Sequence, residues 1–379
     1  MRFLGLAAIL LAIAPSAAAK NAEASRVAAL ARAAMAETGA RGLAIAVIKD
    51  GRIASVQAFG HRNAKGEPLT TDTVMYGASL TKAVFGYTVM QMVEEGRLQL
   101  DRPIADYLPK PLPAYGNLDA YGNWGDLASD DRWRRITPRI LLTHSAGFAN
   151  FSFLEPDGKL KFHFDPGARY AYSGEGIILL QFAIEQGLGL KLGDEMQRRV
   201  FDRFAMTNTS MMWRPDFAHN LADGWKADGS VEPHDERSKV RAAGSMDTSI
   251  GDFAKFAAAF MRGEGLNKRS RDEMIKPQLK ITSGSQFPSL APEAPVSERW
   301  KGLASGLGVI TFSGPQGHGF FKGGHNDSTA NMWACVERGR RCVVILSNDV
   351  RAERAFPRLV DSILGDTGLP WRWEYPDAG

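Results

Sequence analysis

The sequence predicts an α/β (α+β) fold in which one sheet is built from both ends of the chain, with a mostly helical region inserted between them. Strand-like runs occur at residues 42–60 and return after about residue 300. The chain between about 100 and 240 consists mainly of helical patterns and loops punctuated by Pro and Gly. Strands at both ends with helices between them are typical of a single layered α/β unit.

The predicted elements follow from local patterns. A helix is expected from about 21 to 38, where alanines dominate, and another from Ser79 to Glu95, where apolar residues recur at helical spacing. The segment "GLAIAVIKDGRIASVQAFG" alternates apolar residues around Asp50-Gly51, which predicts a β-hairpin. A last helix is expected around 352–364.

Composition is that of an ordinary globular protein. Of 379 residues, 44% are hydrophobic and 23% are charged. The net charge of +4 arises from 46 basic and 42 acidic residues, with the two signs interspersed. The basic clusters at 132–135 and 338–341 are short and are interpreted as solvated turns, so no nucleic-acid partner is expected.

The N-terminus has the pattern of a secretory signal peptide. Arg2 is followed by an apolar run and by the small residues Ala17 and Ala19 in an A-x-A arrangement, which predicts a signal peptide at 1–19 cut after Ala19. The apolar run is too short for a comfortable membrane span. We therefore expect an exported, periplasmic protein without stable membrane insertion after cleavage.

The two cysteines lie in "NMWACVERGRRCVVILSND", which is typical of two strands joined at Arg338-Gly339. A two-residue turn there would place Cys335 opposite Cys342. Export favours a disulfide, whereas cross-strand geometry is often strained. The sequence leaves open whether the two are joined or are reduced cysteines of the core.

The motif "YGASLTKAV" places Ser79 and Lys82 on one face of a helix, because side chains at i and i+3 are neighbours. Ser79 is the only serine in the chain with a lysine three residues later. A lysine kept neutral by burial can take the proton of a serine hydroxyl. For an isolated S-x-x-K, an N-cap serine followed by a surface lysine is the alternative.

Two further segments are candidates for the same chemistry. Tyr172, in "PGARYAYSGEG", could shuttle a proton if neighbouring positive charge lowered its pKa. Lys322, followed by Gly323 and Gly324, could bring positive charge to an anionic substrate group. The seven histidines show no metal-ligand spacing, and no glycine-rich phosphate loop follows a strand, so neither a metal nor another cofactor is expected.

Together these motifs resemble those of the penicillin-recognising serine hydrolases: class C β-lactamases, D-alanyl-D-alanine carboxypeptidases and β-lactamase-like carboxylesterases. Further segments in the order of that family are "GRLQLDRPIADYLP", "ITPRILLTHSAGF", "AAGSMDTSIGDFAKF" and "CVVILSND". The resemblance implies a central antiparallel sheet. It divides the mature chain, 20–379, into an α/β part at about 20–75 and 240–379 and a helical part at about 76–239.

The resemblance also implies residue roles. Ser79 matches the family's nucleophile, Lys82 its proton-accepting partner and Tyr172 the tyrosine of its second motif. The backbone N–H groups of Ser79 and His325 match the oxyanion hole. Lys322, Gly323 and Gly324 match the third motif. Literal Y-x-N sequences at Tyr115 and Tyr121 are rivals, but the context around Tyr172 fits the family better.

Two departures concern substrate recognition. Gly174 stands where β-lactamases and peptidases have asparagine, and Gly323 stands where the third motif usually has threonine. The substrate is expected to be a small or peptide-like amide, a β-lactam or D-amino-acid peptide, because Lys322 offers a counter-ion for a carboxylate. A carboxylesterase on the same fold is the alternative that the two glycines favour. A penicillin-binding protein that is acylated without turnover is a third reading.

Overall fold

The computed structural model describes residues 17–376, so the predicted signal peptide lies outside the described residues apart from its last three positions. The helices are α1 (Ala17–Thr38), α2 (Leu80–Glu94), α3 (Pro138–Leu142), α4 (Gly174–Leu188), α5 (Leu192–Met196), α6 (Ile250–Arg262), α7 (Lys268–Ile275), α8 (Phe356–Leu364) and α9 (Trp371–Glu374). The strands are β1 (Gly42–Lys49), β2 (Arg52–Gly60), β3 (Met75–Tyr76), β4 (Asn117–Leu118), β5 (Gly122–Asn123), β6 (Gly224–Trp225), β7 (Val231–Glu232), β8 (Asp247–Thr248), β9 (Leu279–Lys280), β10 (Ala304–Ser305), β11 (Ile310–Gly314), β12 (Gly317–His325), β13 (Ala330–Val336) and β14 (Arg341–Ser347).

The central sheet has eight strands in the order β2-β1-β14-β13-β12-β11-β10-β9, and each neighbouring pair is antiparallel. Strand β1, from the N-terminal part of the chain, pairs with β14, from the C-terminal part, with Ala46 opposite Val344. The prediction of one antiparallel sheet built from both ends and flanked by helices is therefore confirmed. The proposed division at about 76 and 240 stays a prediction.

The predicted hairpin between β1 and β2 is present. Asp50 and Gly51 connect the strands with φ angles of 52° and 71°. Positive φ at both central residues is what a type I′ turn requires, and Asp-Gly is among the sequences that adopt it most readily. Helix α2 also lies where the sequence places it, with Ser79 as its N-cap and Glu95 as its C-cap.

The cysteine hairpin is formed by β13 and β14. Cys335 is directly opposite Cys342, and the two are joined in a disulfide with their Cα atoms 4.1 Å apart. On the neighbouring strand β12, Phe320 is opposite Cys335 and Lys322 is opposite Trp333. The question that the sequence left open is thus answered in favour of the disulfide, which lies in the centre of the sheet.

Both faces of the sheet are buried, as shown by β1, whose residues point alternately into two hydrophobic cores. Ala44 and Ala46 belong to a core shared with α2, α4 and α6, whereas Leu43 and Ile45 belong to a core shared with α1 and α8. Successive residues of a strand point to opposite faces. The sheet is therefore a middle layer, with α2, α4 and α6 on one side and α1 and α8 on the other.

None of the described helices combines the length and apolar character that a membrane crossing requires.

Trp333 is the centre of the aromatic packing on the α6 side of the sheet. It is fully buried, and its ring lies 5.1–5.7 Å, centroid to centroid, from four phenylalanine rings. We expect Trp333→Ala to lower the free energy of unfolding by about 3–5 kcal/mol, through lost burial and the cavity left behind. Urea denaturation would measure this change.

Val296→Ala serves as the control for that measurement, because Val296 is 79% exposed. The expected change there is within about 0.5 kcal/mol. A loss below about 1 kcal/mol for Trp333→Ala would show that the aromatic cluster does not organise this core.

Candidate active site

A cavity of about 640 Å³ lies where the sheet meets the helical region. It brings together residues from three separate parts of the chain. Most of the residues singled out in the sequence line it: Ser79, Lys82, Tyr172, Lys322, Gly323, Gly324 and His325. Gly174 is not among the described residues that line it.

Ser79 lies at a sharp change of backbone direction. Ala78 immediately before it has a φ of 46°, a region in which residues with a side chain are uncommon, and helix α2 begins at Leu80 directly after it. This turn places Ser79 at the cavity wall and leaves its N–H at the positive end of a helix of 15 residues. Strained backbone at such a position is typical of functional sites.

Lys82 lies three residues after Ser79, in the first turn of α2, and is 1% exposed. Its Nζ is 2.9 Å from the Ser79 Oγ and also donates a hydrogen bond to the Ala243 carbonyl oxygen. Burial lowers the pKa of Lys82 well below its usual range, and the nearby Lys322 ammonium lowers it further. Both effects favour the neutral form of the amine, which is the form that can accept a proton from the serine.

Tyr172 contacts the same serine from the opposite side, since its hydroxyl donates a hydrogen bond of 2.7 Å to the Ser79 Oγ. Its ring centroid lies 4.9 Å from Lys82 Nζ and 5.1 Å from Lys322 Nζ. Even so, burial raises the pKa of Tyr172 above its usual value. Desolvation of the phenolate therefore outweighs the nearby positive charge that the sequence analysis named as a condition for a lowered pKa.

His144 holds the Tyr172 ring in place. The two rings stack with centroids 4.5 Å apart and an angle of 26° between their planes. His144 Nδ1 accepts a hydrogen bond from the Ser173 N–H at 3.2 Å. Burial lowers the pKa of His144 well below its usual value, with Lys82 and Lys322 adding to the effect. A neutral imidazole therefore supports the Tyr172 ring.

Strand β12 approaches the start of α2 closely at Gly324. A Cβ atom at this glycine would lie 2.8 Å from the Ser79 nitrogen and 2.9 Å from the Leu80 nitrogen. Only glycine leaves this space open. His325 follows at the cavity edge, and its side chain forms a 2.9 Å contact with Glu353 that raises the pKa of the imidazole. The donors expected for an oxyanion hole, the N–H groups of Ser79 and His325, thus lie on adjoining segments.

Gly174 has a packing role that the sequence did not predict. A Cβ atom there would collide with the ring of Phe151, which lines the cavity and stacks on Phe153 with centroids 5.2 Å apart. The Gly174 N–H donates to Asn150 Oδ1 at 2.9 Å. The Phe151 ring therefore occupies the space that a side chain at position 174 would take.

Gly323 is packed against a carboxylate from the C-terminal part of the chain. A Cβ atom at Gly323 would collide with Glu374 Oε1. Glu374 Oε2 accepts a 2.7 Å hydrogen bond from Gln286, and both residues line the cavity. Sequence reasoning missed Glu374 and Gln286, because neither lies in a motif and both are far from Ser79 along the chain.

The rival tyrosines lie elsewhere. Tyr115 and Tyr121 pack edge-on against Phe182, with ring centroids 4.9 and 5.1 Å from it, and Tyr121 donates a hydrogen bond to Glu185. Neither is among the described residues that line the cavity. The preference for Tyr172 therefore agrees with the geometry. Within residues 17–376 no cluster of side chains could hold a metal ion.

The chain resembles several known proteins. The sequence model of the family described as Beta-lactamase matches residues 27–364. A lovastatin esterase of Penicillium rubens is 27% identical over 277 residues, covering 64% of this chain and 66% of that protein. A monacolin J acid methylbutanoyltransferase of Aspergillus terreus is 26% identical over 271 residues, covering 61% and 65%. The match thus spans just under two thirds of the length of these relatives.

Among solved structures, a D-alanine carboxypeptidase of Burkholderia cenocepacia superimposes with a TM-score of 0.71 over 91% of this chain and 99% of that one, at 18% identity. This likeness establishes the shared fold. The family match covers most of the chain and includes the segments that carry Ser79, Lys82, Tyr172 and Lys322. The chain belongs to the beta-lactamase family of serine hydrolases.

Proposed function

We propose that the protein is an exported serine hydrolase that forms an acyl-enzyme on Ser79. The observation that carries the proposal is the position of one oxygen between two proton carriers. Ser79 Oγ lies 2.9 Å from Lys82 Nζ and 2.7 Å from the Tyr172 hydroxyl. A nucleophile within hydrogen-bond distance of a base, with a second proton carrier beside it, is the arrangement that covalent acyl transfer requires.

In acylation, Ser79 Oγ attacks the substrate carbonyl carbon and passes its proton to the neutral Lys82 amine. The bond from that carbon to the leaving group then breaks. Tyr172 donates its proton to the leaving group and is reprotonated from Lys82, so that no net charge accumulates. Water attacks the acyl-enzyme by the reverse sequence and releases the acid and free Ser79.

The tetrahedral intermediate needs hydrogen-bond donors at its oxygen. The N–H groups of Ser79 and His325 are the proposed donors, with Gly324 keeping the space between strand and helix open. Backbone donors fixed in this way need no reorganisation when charge develops on the oxygen.

The proposed substrate is a carboxylic ester. The second-motif side of the cavity is lined by Phe151 and Phe153 next to Asn150, whose Oδ1 is occupied by the Gly174 N–H, and Phe153 is 72% exposed. Such a wall suits an apolar acyl or alcohol group. Two relatives are named as an esterase and an acyltransferase, which is in keeping with ester chemistry.

An amide substrate, such as a β-lactam or a D-amino-acid peptide, is the second candidate. Lys322 is retained beside the nucleophile and is 3% exposed, so it could still neutralise a substrate carboxylate. A penicillin-binding role, with acylation but no turnover, is a third. Export is proposed from residues 1–19, which have the charge, apolar run and small residues of a cleavable signal.

Replacing Ser79 with alanine removes the attacking oxygen. We expect Ser79→Ala to lower kcat/KM for a short-chain p-nitrophenyl ester by at least about 1,000-fold, because no acyl-enzyme can form. Mass spectrometry of the wild-type protein after rapid acid quench should find the acyl group on Ser79. The matched control is Ser313→Ala, an exposed serine of β11. Turnover by Ser79→Ala close to the wild-type rate would refute the mechanism.

Steady-state assays with a chromogenic cephalosporin and a p-nitrophenyl ester decide between the candidates. We expect ester hydrolysis to exceed cephalosporin hydrolysis by at least about 100-fold in kcat/KM, because Gly174 and Gly323 lack the asparagine and threonine side chains expected at these positions of an amide-cleaving relative. Dominant cephalosporin turnover would establish the amide reading. Stoichiometric labelling of Ser79 without turnover of either compound would establish the penicillin-binding reading.

The pH dependence of ester hydrolysis reports on Lys82. Activity requires the neutral amine, so kcat/KM should fall as the pH drops below the Lys82 pKa of the free enzyme. Lys322 lowers that pKa, and its removal should raise it. We therefore expect Lys322→Gln to shift the acid limb of the kcat/KM profile to higher pH.

Lys239→Gln removes the same charge from an exposed position near the cavity entrance and should leave the acid limb in place. If both variants gave the wild-type profile, the acid limb would not report a group whose pKa is lowered by Lys322, contrary to the assignment of that limb to Lys82. Using the profile rather than the absolute rate separates this effect from any loss of substrate binding in Lys322→Gln.

A further inference from the structure

Glu374 places a carboxylate inside the proposed acyl-transfer cavity. It is the last residue of α9, 5% exposed, and it lines the same cavity as Ser79 and Lys322. Buried carboxylates are rare unless they are paired or hydrogen-bonded. Its position therefore needs a structural reason and raises a functional question.

The structural reason is a short chain of hydrogen bonds. The Tyr170 hydroxyl donates to Gln286 Oε1 at 3.0 Å, and Gln286 Nε2 donates to Glu374 Oε2 at 2.7 Å. The Gln286 backbone N–H also donates to the Trp373 carbonyl oxygen at 2.9 Å. Glu374 is thus held in one orientation before any substrate arrives.

The other carboxylate oxygen, Oε1, packs on the backbone of Gly323 in the third motif. Any side chain at 323 would collide with it. Between residues 17 and 376 no protein group donates a hydrogen bond to Oε1. The absence of a side chain at Gly323 and the presence of Glu374 are therefore two parts of one arrangement, in which the carboxylate fills the space that a side chain at 323 would take.

Lys322 and Glu374 carry opposite charges when ionised, and each influences the other in this part of the cavity. Lys322 is buried, and its Nζ donates a hydrogen bond to the Gly323 carbonyl oxygen at 2.6 Å. Burial lowers the pKa of Lys322 and raises that of Glu374, while the attraction between the two opposes both changes. A substrate carboxylate beside Lys322 would add a second negative charge next to Glu374 in a poorly hydrated site, where like charges repel strongly.

We propose that Glu374 is a specificity-determining residue that takes the place of a substrate carboxylate beside Lys322, so that the enzyme selects esters uncharged at this end of the cavity. This inference rests on the proposed esterase function. In this arrangement Glu374 offsets the positive charge of Lys322, so Lys322 lines the cavity without binding a substrate anion. This arrangement also gives the substrate class a physical basis: neutral esters are accepted, and their anionic counterparts are rejected by charge.

The test compares matched neutral and anionic esters. One pair, phenyl acetate and 3-carboxyphenyl acetate, places the carboxylate on the leaving group. The other pair, p-nitrophenyl pentanoate and p-nitrophenyl hemiglutarate, places it on the acyl group. For at least one pair we expect wild-type kcat/KM to be about 100-fold higher for the neutral ester, since like-charge juxtaposition in a desolvated site is costly.

The variant Glu374→Gln keeps the shape and the hydrogen-bonding capacity of the side chain but removes its charge. We expect the neutral-to-anionic ratio to fall at least about 10-fold in this variant, with kcat/KM for the neutral ester within about 3-fold of wild type. Glu374→Ala provides the same test if the glutamine is not tolerated. Glu236→Gln, an exposed acid near the cavity entrance, is the charge-matched control and should leave the ratio unchanged.

The outcomes separate this inference from the proposed function. A wild-type ratio near one for both pairs, or an unchanged ratio in the folded Glu374→Gln protein, would overturn the role of Glu374 and leave the esterase intact. Loss of neutral-ester hydrolysis in that folded variant would also overturn it, because Glu374 would then be needed for the chemistry. No Ser79-dependent hydrolysis of any ester by the wild type would overturn both proposals.

Discussion

The site depends above all on keeping the Lys82 amine out of water. In solution a lysine side chain is protonated at neutral pH and cannot act as a base. Here it lies on the first turn of a helix whose side chains are almost all buried, and its only polar contacts among the described residues are Ser79 Oγ and the Ala243 carbonyl oxygen. No described carboxylate forms an ion pair with it. The surrounding structure therefore stabilises the neutral amine, which the proposed chemistry requires.

The helical region and the sheet both contribute to this exclusion of water. The helical region supplies Tyr172 and, behind it, His144, which is itself neutral because it is buried. The sheet supplies β12, which approaches the start of α2 so closely that Gly324 cannot carry a side chain. The positive charge of Lys322 comes from the same strand and favours the uncharged form of Lys82. The site therefore forms where the helical region and the sheet meet.

Local patterns were sufficient to predict the hairpin at Asp50-Gly51, the helix that begins after Ser79 and the facing of Cys335 and Cys342, because turn chemistry and helical spacing act over a few residues. The grouping of Ser79, Lys82 and Tyr172 followed from the family resemblance. Glu374 was not predictable, since nothing within α9 indicates which strand it contacts. The raised pKa of Tyr172 was also missed, because it depends on burial in the assembled fold.

The disulfide in the cysteine hairpin has a consequence for which side of the sheet meets the substrate. Side chains alternate along a strand, so sliding a strand by one position would turn Lys322 away from Ser79 and toward α1 and α8. Cys335 is covalently joined to the residue opposite it on β14 and is paired with Phe320 on β12, two positions before Lys322. The cross-link prevents β13 from sliding against β14, and so helps to fix the frame against which β12 is aligned. In an oxidising compartment, where the disulfide forms, the cross-link between β13 and β14 would thus help to keep Lys322 aligned on the neighbouring strand β12.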